Sequence, residues 1–350
     1  MKKEYVVSYD VLKILATFLV CFYHLNLLYL GSVDDLGYHL NVNRVVVNAC
    51  VICVPLFFMV NGALVLNKTY PIKKIAIRAI KIFFLYVFWI VLMNTLYAVV
   101  DGTMHEYSIK DILFHLSQYQ DQFWFLKTMI YLTILTPVIK FFMDHQNKIV
   151  KYMFYIGLFL LFLFPFAYNY LSPIGVFMSN DRLASLPRTG VFTLYSILFF
   201  VAGKYLADRY RNGMTKSYDT ILFTSFIIIG LGLVTVDGVL LSNYTKTVYD
   251  SVNGCFPTIG ALMMSVGVFG LLLRVNTQDN KTKEWIKTIS KNTMAVYIFH
   301  ALVIKVIRIF ISYPISLPIA ILLALAIMGI ILVISNVLRK SKIYCTLISI

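Results

Sequence analysis

An all-α polytopic membrane protein is the fold class this sequence predicts, and three observations carry the prediction. Of the 350 residues, 60% are hydrophobic and only 13% charged, whereas soluble chains run near about 25% charged. The apolar residues gather in runs of roughly 20, the length that carries a helix across about 30 Å of hydrocarbon. The lysines and arginines concentrate in alternate connections between those runs, as in a chain threaded back and forth through a bilayer. Disorder and a disulfide scaffold are excluded by the same composition.

Ten runs qualify, near residues 10–30, 45–66, 80–100, 123–143, 149–170, 191–207, 219–236, 254–273, 292–313 and 315–337. The first follows a basic start, MKKEY. Its apolar part is too long for a signal peptide, carries Lys13 and His24, and lacks a small-x-small cleavage site, so it is expected to remain as a span. The second contains Cys50 and Cys53 in NACVICVPLFFMV; without a βαβ context this CxxC reads as packing, as do Cys21, Cys255 and Cys345. The fourth opens with Trp124, where an aromatic-belt anchor is expected.

The net charge of +15 is explained largely by orientation. Lys2 and Lys3, with the connections 67–81, 140–151, 204–218, 274–291 and 339–342, hold 22 lysines and arginines, against five in the opposite set: Arg44, Lys110, Arg182, Arg188 and Lys246. Both termini are therefore expected in the cytoplasm, with an even number of spans, and no nucleic-acid partner is implied. The longest connections, near 101–122 and 171–190, face outward in this reading. Neither is long enough for a folded extramembrane domain. One transmembrane domain over 1–342 with a short tail, 343–350, is the expected organisation, and no internal repeat suggests a two-halved transporter.

An ionisable group in hydrocarbon costs at least about 2.5–3.5 kcal/mol, so each one there calls for a partner or a function. In the first span Lys13 and His24 are eleven residues apart, three turns and about 20°, on one helical face and about 16 Å apart. Asp10 is placed to pair with Lys13, while His24 stands beyond the midpoint with only Thr17 and Asn26 near it. Such a face suits a cavity wall on which an imidazole acts as a general base; the other reading makes His24 structural and Lys13 a snorkelling interface residue. Lys74, Arg78 and Lys81 form a second stripe at i, i+4 and i+7. It serves orientation and anionic lipid, or clamps a phosphorylated ligand. His300, one turn from Tyr297, reads as a satisfied buried histidine, and Lys305 and Arg308 as snorkelling or anion-binding cations near the outer face. His39, His105, His115 and His145 show no metal-ligand spacing. No metal, P-loop, GxSxG or GxGxxG is indicated.

These residues resemble the membrane-bound acyltransferase family 3, which O-acylates peptidoglycan, lipopolysaccharide and other surface polysaccharides. The first-helix basic residue, ten-residue gap and histidine are matched by Lys13 and His24. The RxxR of the third helix is matched by Arg78-Ala-Ile-Lys81, with Lys in place of the second Arg. The aromatic second helix ending in Ser-Gly appears as VPLFFMVNGALVL, with Asn61-Gly62. The WFL of the fourth appears as Trp124-Phe125-Leu126, followed by Tyr131 and Pro137, and the late Gly-Lys-Asn/Ser, Tyr, His pattern as Lys291-Asn292, Tyr297 and His300.

The resemblance implies an integral O-acyltransferase of a bacterial plasma membrane. It would take an acyl group, acetyl above all, from cytosolic acetyl-CoA to a hydroxyl of a cell-surface or lipid-linked glycan. Arg78, Lys81 and Lys74 would hold the coenzyme phosphates, with the pantetheine arm along the Lys13–His24 face. His24 and Lys13 would be the catalytic residues, His24 as general base or as carrier of the acyl group, with Asp10, Trp124, Tyr297 and His300 supporting. The chain lacks the soluble esterase-like domain of some members, so a step needing one would fall to a partner. Membrane lipids are further partners, and a homo-oligomer is compatible with the class. The competing functional reading is a transporter or flippase for a glycan or lipid-linked intermediate.

Overall fold

The structure is a computed structural model that describes residues 6–26, 42–102, 121–186, 195–213, 217–246, 248–252, 256–311 and 315–348. The described part of each of the ten apolar runs lies largely on a helix. α1 spans Val7–Asn26. α2 (Val42–Asn48) passes through a 3-10 turn at Ala49–Ile52 into α3 (Cys53–Val65), so the second run is a single span with a tightened turn inside it. α4 is Ile72–Asp101. A 3-10 turn at Asp121–Phe123 leads into α5 (Trp124–Asp144). Next come α6 (Lys148–Phe177), the short α7 (Asp181–Ala184), α8 (Tyr195–Arg211), α9 (Ser217–Thr245) and α10 (Ile259–Leu272). α11 (Asn280–Lys291) is a polar connecting helix before α12 (Thr293–Phe310), α13 (Leu317–Leu338) and α14 (Lys342–Leu347).

Among the described residues there is no strand, and eight helical stretches are long and apolar enough to cross a membrane, α2 and α3 counting as one. Two of the ten runs fall on shorter helices, α8 with 17 residues and α10 with 14. The chain is a multi-pass membrane protein. Its outer surface agrees: Phe84 on α4, Phe159 on α6, Ile228 on α9 and Val333 on α13 are exposed, as side chains facing lipid rather than water would be.

One boundary differs from the sequence expectation. α6 runs on to Phe177 through Pro165 and Pro173, so residues 171–177 are helix rather than outward connection. A membrane helix tolerates internal proline because neighbouring groups satisfy the freed carbonyls.

Small residues let the helices approach. A methyl on Gly62 of α3 would stand 1.7 Å from the Phe200 carbonyl oxygen of α8, and one on Gly203 of α8 would stand 2.0 Å from the Met59 carbonyl oxygen of α3. The two backbones touch there, the packing expected where no hydrophobic effect drives helices together.

Polar ties then join helix ends. At one end of the bundle, Arg211 donates to the Asn67 side chain (3.0 Å), Lys140 to the Leu66 carbonyl (3.1 Å), and Arg339 through Nε to Asn292 Oδ1 (2.6 Å). At the other end, Lys305 of α12 pairs with Asp101, the last residue of α4, and its ammonium lies 4.9 Å from the Tyr97 ring centroid. The C-terminal segment folds back on the bundle: Trp89 of α4 donates to the Leu347 carbonyl (2.8 Å), and Ile348 is buried.

Candidate active site

α1 positions the two sequence-singled residues of the first span, and the structure treats them differently. Lys13 is held by Asp10 at 2.6 Å. Asp10 in turn accepts a hydrogen bond from Ser290 of α11 at 2.5 Å, and Thr17 donates to the Lys13 carbonyl at 2.7 Å. This cluster locks the start of α1 to the junction of α11 and α12, where Thr293 donates to the Ser290 carbonyl (2.8 Å). Lys13 does not line the cavity that holds His24. Its charge is met by a buried carboxylate.

His24 sits three turns further along, on the wall of a cavity of about 180 Å³. α1 contributes Val20, Tyr23 and His24; α3 contributes Cys53 and Val54. The turn before α5 brings Gln122, and α5 itself Trp124 and Phe125. Val252 and Phe256 enter ahead of α10, and α12 supplies Tyr297 and His300. The sequence reading that left His24 with only Thr17 and Asn26 nearby is corrected here. Its ring centroid is 5.0 Å from that of His300 and 5.0 Å, edge-on, from that of Tyr23. Its carbonyl accepts a hydrogen bond from Arg308 at 3.0 Å. A cation at a helix C-terminus satisfies an orphan carbonyl and meets the negative end of the dipole. Arg308 thus turns inward onto α1, and Lys305 is taken up by Asp101, so neither stands as an isolated outer cation.

His300 is fully buried, and the expectation of a satisfied histidine is half met. Nδ1 lies 2.8 Å from the Tyr297 carbonyl and 3.1 Å from that of Val296, whereas Nε2 is buried with no hydrogen-bond partner. Tyr297 donates to the Gln122 carbonyl, which ties α12 to the start of α5. Trp124, expected as an aromatic-belt anchor, lines the cavity and packs against Phe256 (5.6 Å) and Phe58 (6.2 Å).

The cationic stripe lies on the first three turns of α4. Lys74 is exposed, and Arg78 and Lys81 are half-buried. Among the described residues none of the three side chains makes an ion pair or hydrogen bond. Because α4 ends at Asp101 against Lys305, and Arg308 on the same helix reaches the end of α1, the stripe and His24 lie toward opposite ends of the bundle. A larger cavity, about 580 Å³, opens at the stripe's end between Lys68, Tyr70, Ile75, Lys140 and His145. No cluster of His, Cys, Asp or Glu able to hold a metal ion occurs among the described residues.

A pair of imidazoles, His300 buried and His24 half-buried, at one end of a helical membrane bundle and unpaired cations at the other is the geometry against which the known families can be compared. The model of acyltransferase family 3, an acyltransferase domain, matches residues 6–337. The chain belongs to that family. No curated protein and no solved structure matches it. As a family 3 member it is a membrane acyltransferase, and the matched span contains every residue of the cavity around His24 and of the cationic stripe.

Several cavity residues lay beyond sequence reasoning. Tyr23, which donates to Asp250, has no motif of its own. Gln122 stands two residues before the WFL triplet, and Phe256 lies in a connection. They meet His24 only because four separate elements converge on the end of α1. His39, His105, His115 and Cys255 lie outside the described residues. Cys21, Cys50 and Cys53 are buried and unbridged.

Proposed function

We propose that this family 3 protein moves a short acyl group, acetyl above all, from cytosolic acyl-CoA to a hydroxyl of an extracytoplasmic glycan. The single observation that carries the reading is the placement of His24 on a cavity wall at the bundle end remote from Lys74, Arg78 and Lys81. The cations meet the coenzyme's phosphates, Arg78 as a bidentate fork and the lysines as point charges. The neighbouring cavity, about 580 Å³, is within the roughly 300–1,000 Å³ usual for a cofactor-sized ligand. The pantetheine arm then spans the bundle and brings the thioester to His24, whose imidazole handles the hydroxyl proton or carries the acyl group.

Cavity size supports a short acyl chain. The 180 Å³ around His24 is well below the volume of a drug-sized pocket, roughly 300 Å³ upward, and its walls include Trp124, Phe125 and Phe256. The cytoplasmic location of the stripe follows from the charge asymmetry of the connections and is part of the proposal.

Membranes holding the protein are supplied with labelled acetyl-CoA, and label on the surface glycan is measured for wild type and His24→Ala. Loss of an imidazole acting in proton transfer lowers turnover by about 10²–10⁴-fold. Retained glycan labelling in His24→Ala at equal protein level would overturn the role given to His24.

A further inference from the structure

Two imidazoles share the cavity, and the second is presented in a defined way. Both neighbours of His300 Nδ1 are carbonyl oxygens, which only accept hydrogen bonds, so Nδ1 carries the ring proton and donates it. That leaves Nε2, on the opposite edge of the ring, as a bare lone pair. It is buried, has no partner among the described residues and belongs to the side chain lining the cavity 5.0 Å, centroid to centroid, from His24. A buried acceptor without a donor is costly, and more so inside a bilayer. A proton on Nε2 as well would add an uncompensated buried charge. The arrangement is a base held in one tautomer by an orienting acceptor, the relation that a backbone carbonyl or carboxylate has to histidine bases generally.

Resting on the acyl-transfer reading above, we propose that His300 is a second catalytic residue, whose Nε2 takes the proton of the acceptor hydroxyl. As the acceptor oxygen forms the new ester C–O bond, its O–H bond breaks and the proton passes to Nε2. The C–S bond of the thioester breaks, and its electron pair leaves on sulfur. The imidazolium at His300, still donating from Nδ1 to the Tyr297 carbonyl, passes a proton to His24, and His24 passes one to the thiolate. Hydroxyl and thioester become ester and thiol, and both imidazoles end neutral. Arg308, two turns further along α12, serves a different purpose by holding the His24 carbonyl and so the end of α1.

The test separates the two nitrogens. His300→Asn keeps a short amide N–H for the Tyr297 and Val296 carbonyls and deletes Nε2; His300→Gln reaches the Nε2 position with an amide that cannot take a proton. Both are purified in detergent, checked by thermal melting, and assayed with acetyl-CoA for glycan labelling and for thiol release with hydroxylamine, which needs no base, above its uncatalysed background. Expected are KM for acetyl-CoA within about 3-fold of wild type and glycan turnover down about 100-fold or more in both variants, in the range for a lost general base. With hydroxylamine the loss shrinks to under about 10-fold. Wild-type glycan turnover in His300→Asn would overturn the assignment, as would equal losses with both acceptors, which would mark a structural histidine. If one variant fails to fold, the other carries the comparison. If wild type itself transfers nothing from acetyl-CoA, the acyl-transfer reading fails instead, and that outcome is distinct.

Discussion

Arg78 illustrates what one side chain contributes that its charge alone does not. Its planar fork suits a phosphate in a way that a lysine at the same place does not, and among the described residues it has no acidic partner to compete. Arg78→Ala is expected to raise KM for acyl-CoA about 10-fold at low ionic strength, the order of one charge-assisted hydrogen bond. The effect should shrink as salt rises, because contacts at the bundle surface are screened. Acyl-CoA affinity measured across a salt series checks this; an unchanged KM at low salt would leave the stripe to orientation and lipid. Arg308→Ala should behave differently, lowering turnover with little change in KM, because it frees the end of α1 that carries His24. Its readout is the split between kcat and KM.

Helix pairs respond to other substitutions. Gly62 and Gly203 sit where α3 and α8 touch backbone to backbone, so even Gly62→Ala forces the helices apart. A loss of about 1–3 kcal/mol is expected, as for overpacking generally, and a lowered melting temperature in detergent is the measurement. α11 depends on its cap: the Asp279 carboxylate accepts hydrogen bonds from Thr282 and from the amides of Thr282 and Lys281. Hydrogen bonding from the Thr282 side chain, then from these amides, holds its pKa below the usual carboxylate value. With the folded value depressed, the cap's contribution is present at neutral pH and is lost as pH falls below about 4 through the folded value. Amide exchange in the first turn of α11 should therefore quicken only in acid, and in Asp279→Ala should be fast already at neutral pH.

At the scale of the whole molecule, orientation and closure are the testable properties. With the protein's own cysteines replaced, Lys340→Cys should be shielded from an impermeant maleimide in intact cells and Lys246→Cys labelled, if the charge asymmetry sets the topology. Removal of residues 342–350 exposes Trp89 and deletes the buried Ile348. Burial of one such side chain contributes about 1.5–3 kcal/mol, so truncation should lower the melting temperature and leave the family-matched domain folded.

The all-helical, multi-pass character was legible in the chain because hydrophobic length is a local property; of the ten runs, eight fall on helices long and apolar enough to cross a membrane. His24, Arg78 and Trp124 stood out because a charge, an imidazole or a motif at a helix start is visible in one dimension. The proline-containing extension of α6 was not, since whether a proline ends a membrane helix depends on neighbours that satisfy its carbonyls. Nor was the company of His24. Its approach to His300 spans 276 positions of chain, and the inward turn of Arg308 and the hydrogen bond that Ser290 gives to Asp10 depend on which faces of α1, α11 and α12 meet. Sequence alone determined the fold class, the family resemblance and the inventory of ionisable groups that hydrocarbon should not hold. Only the tertiary structure decided which of those groups neutralise one another and which are left facing a cavity, because pairing and burial are set by helix packing rather than by residue type.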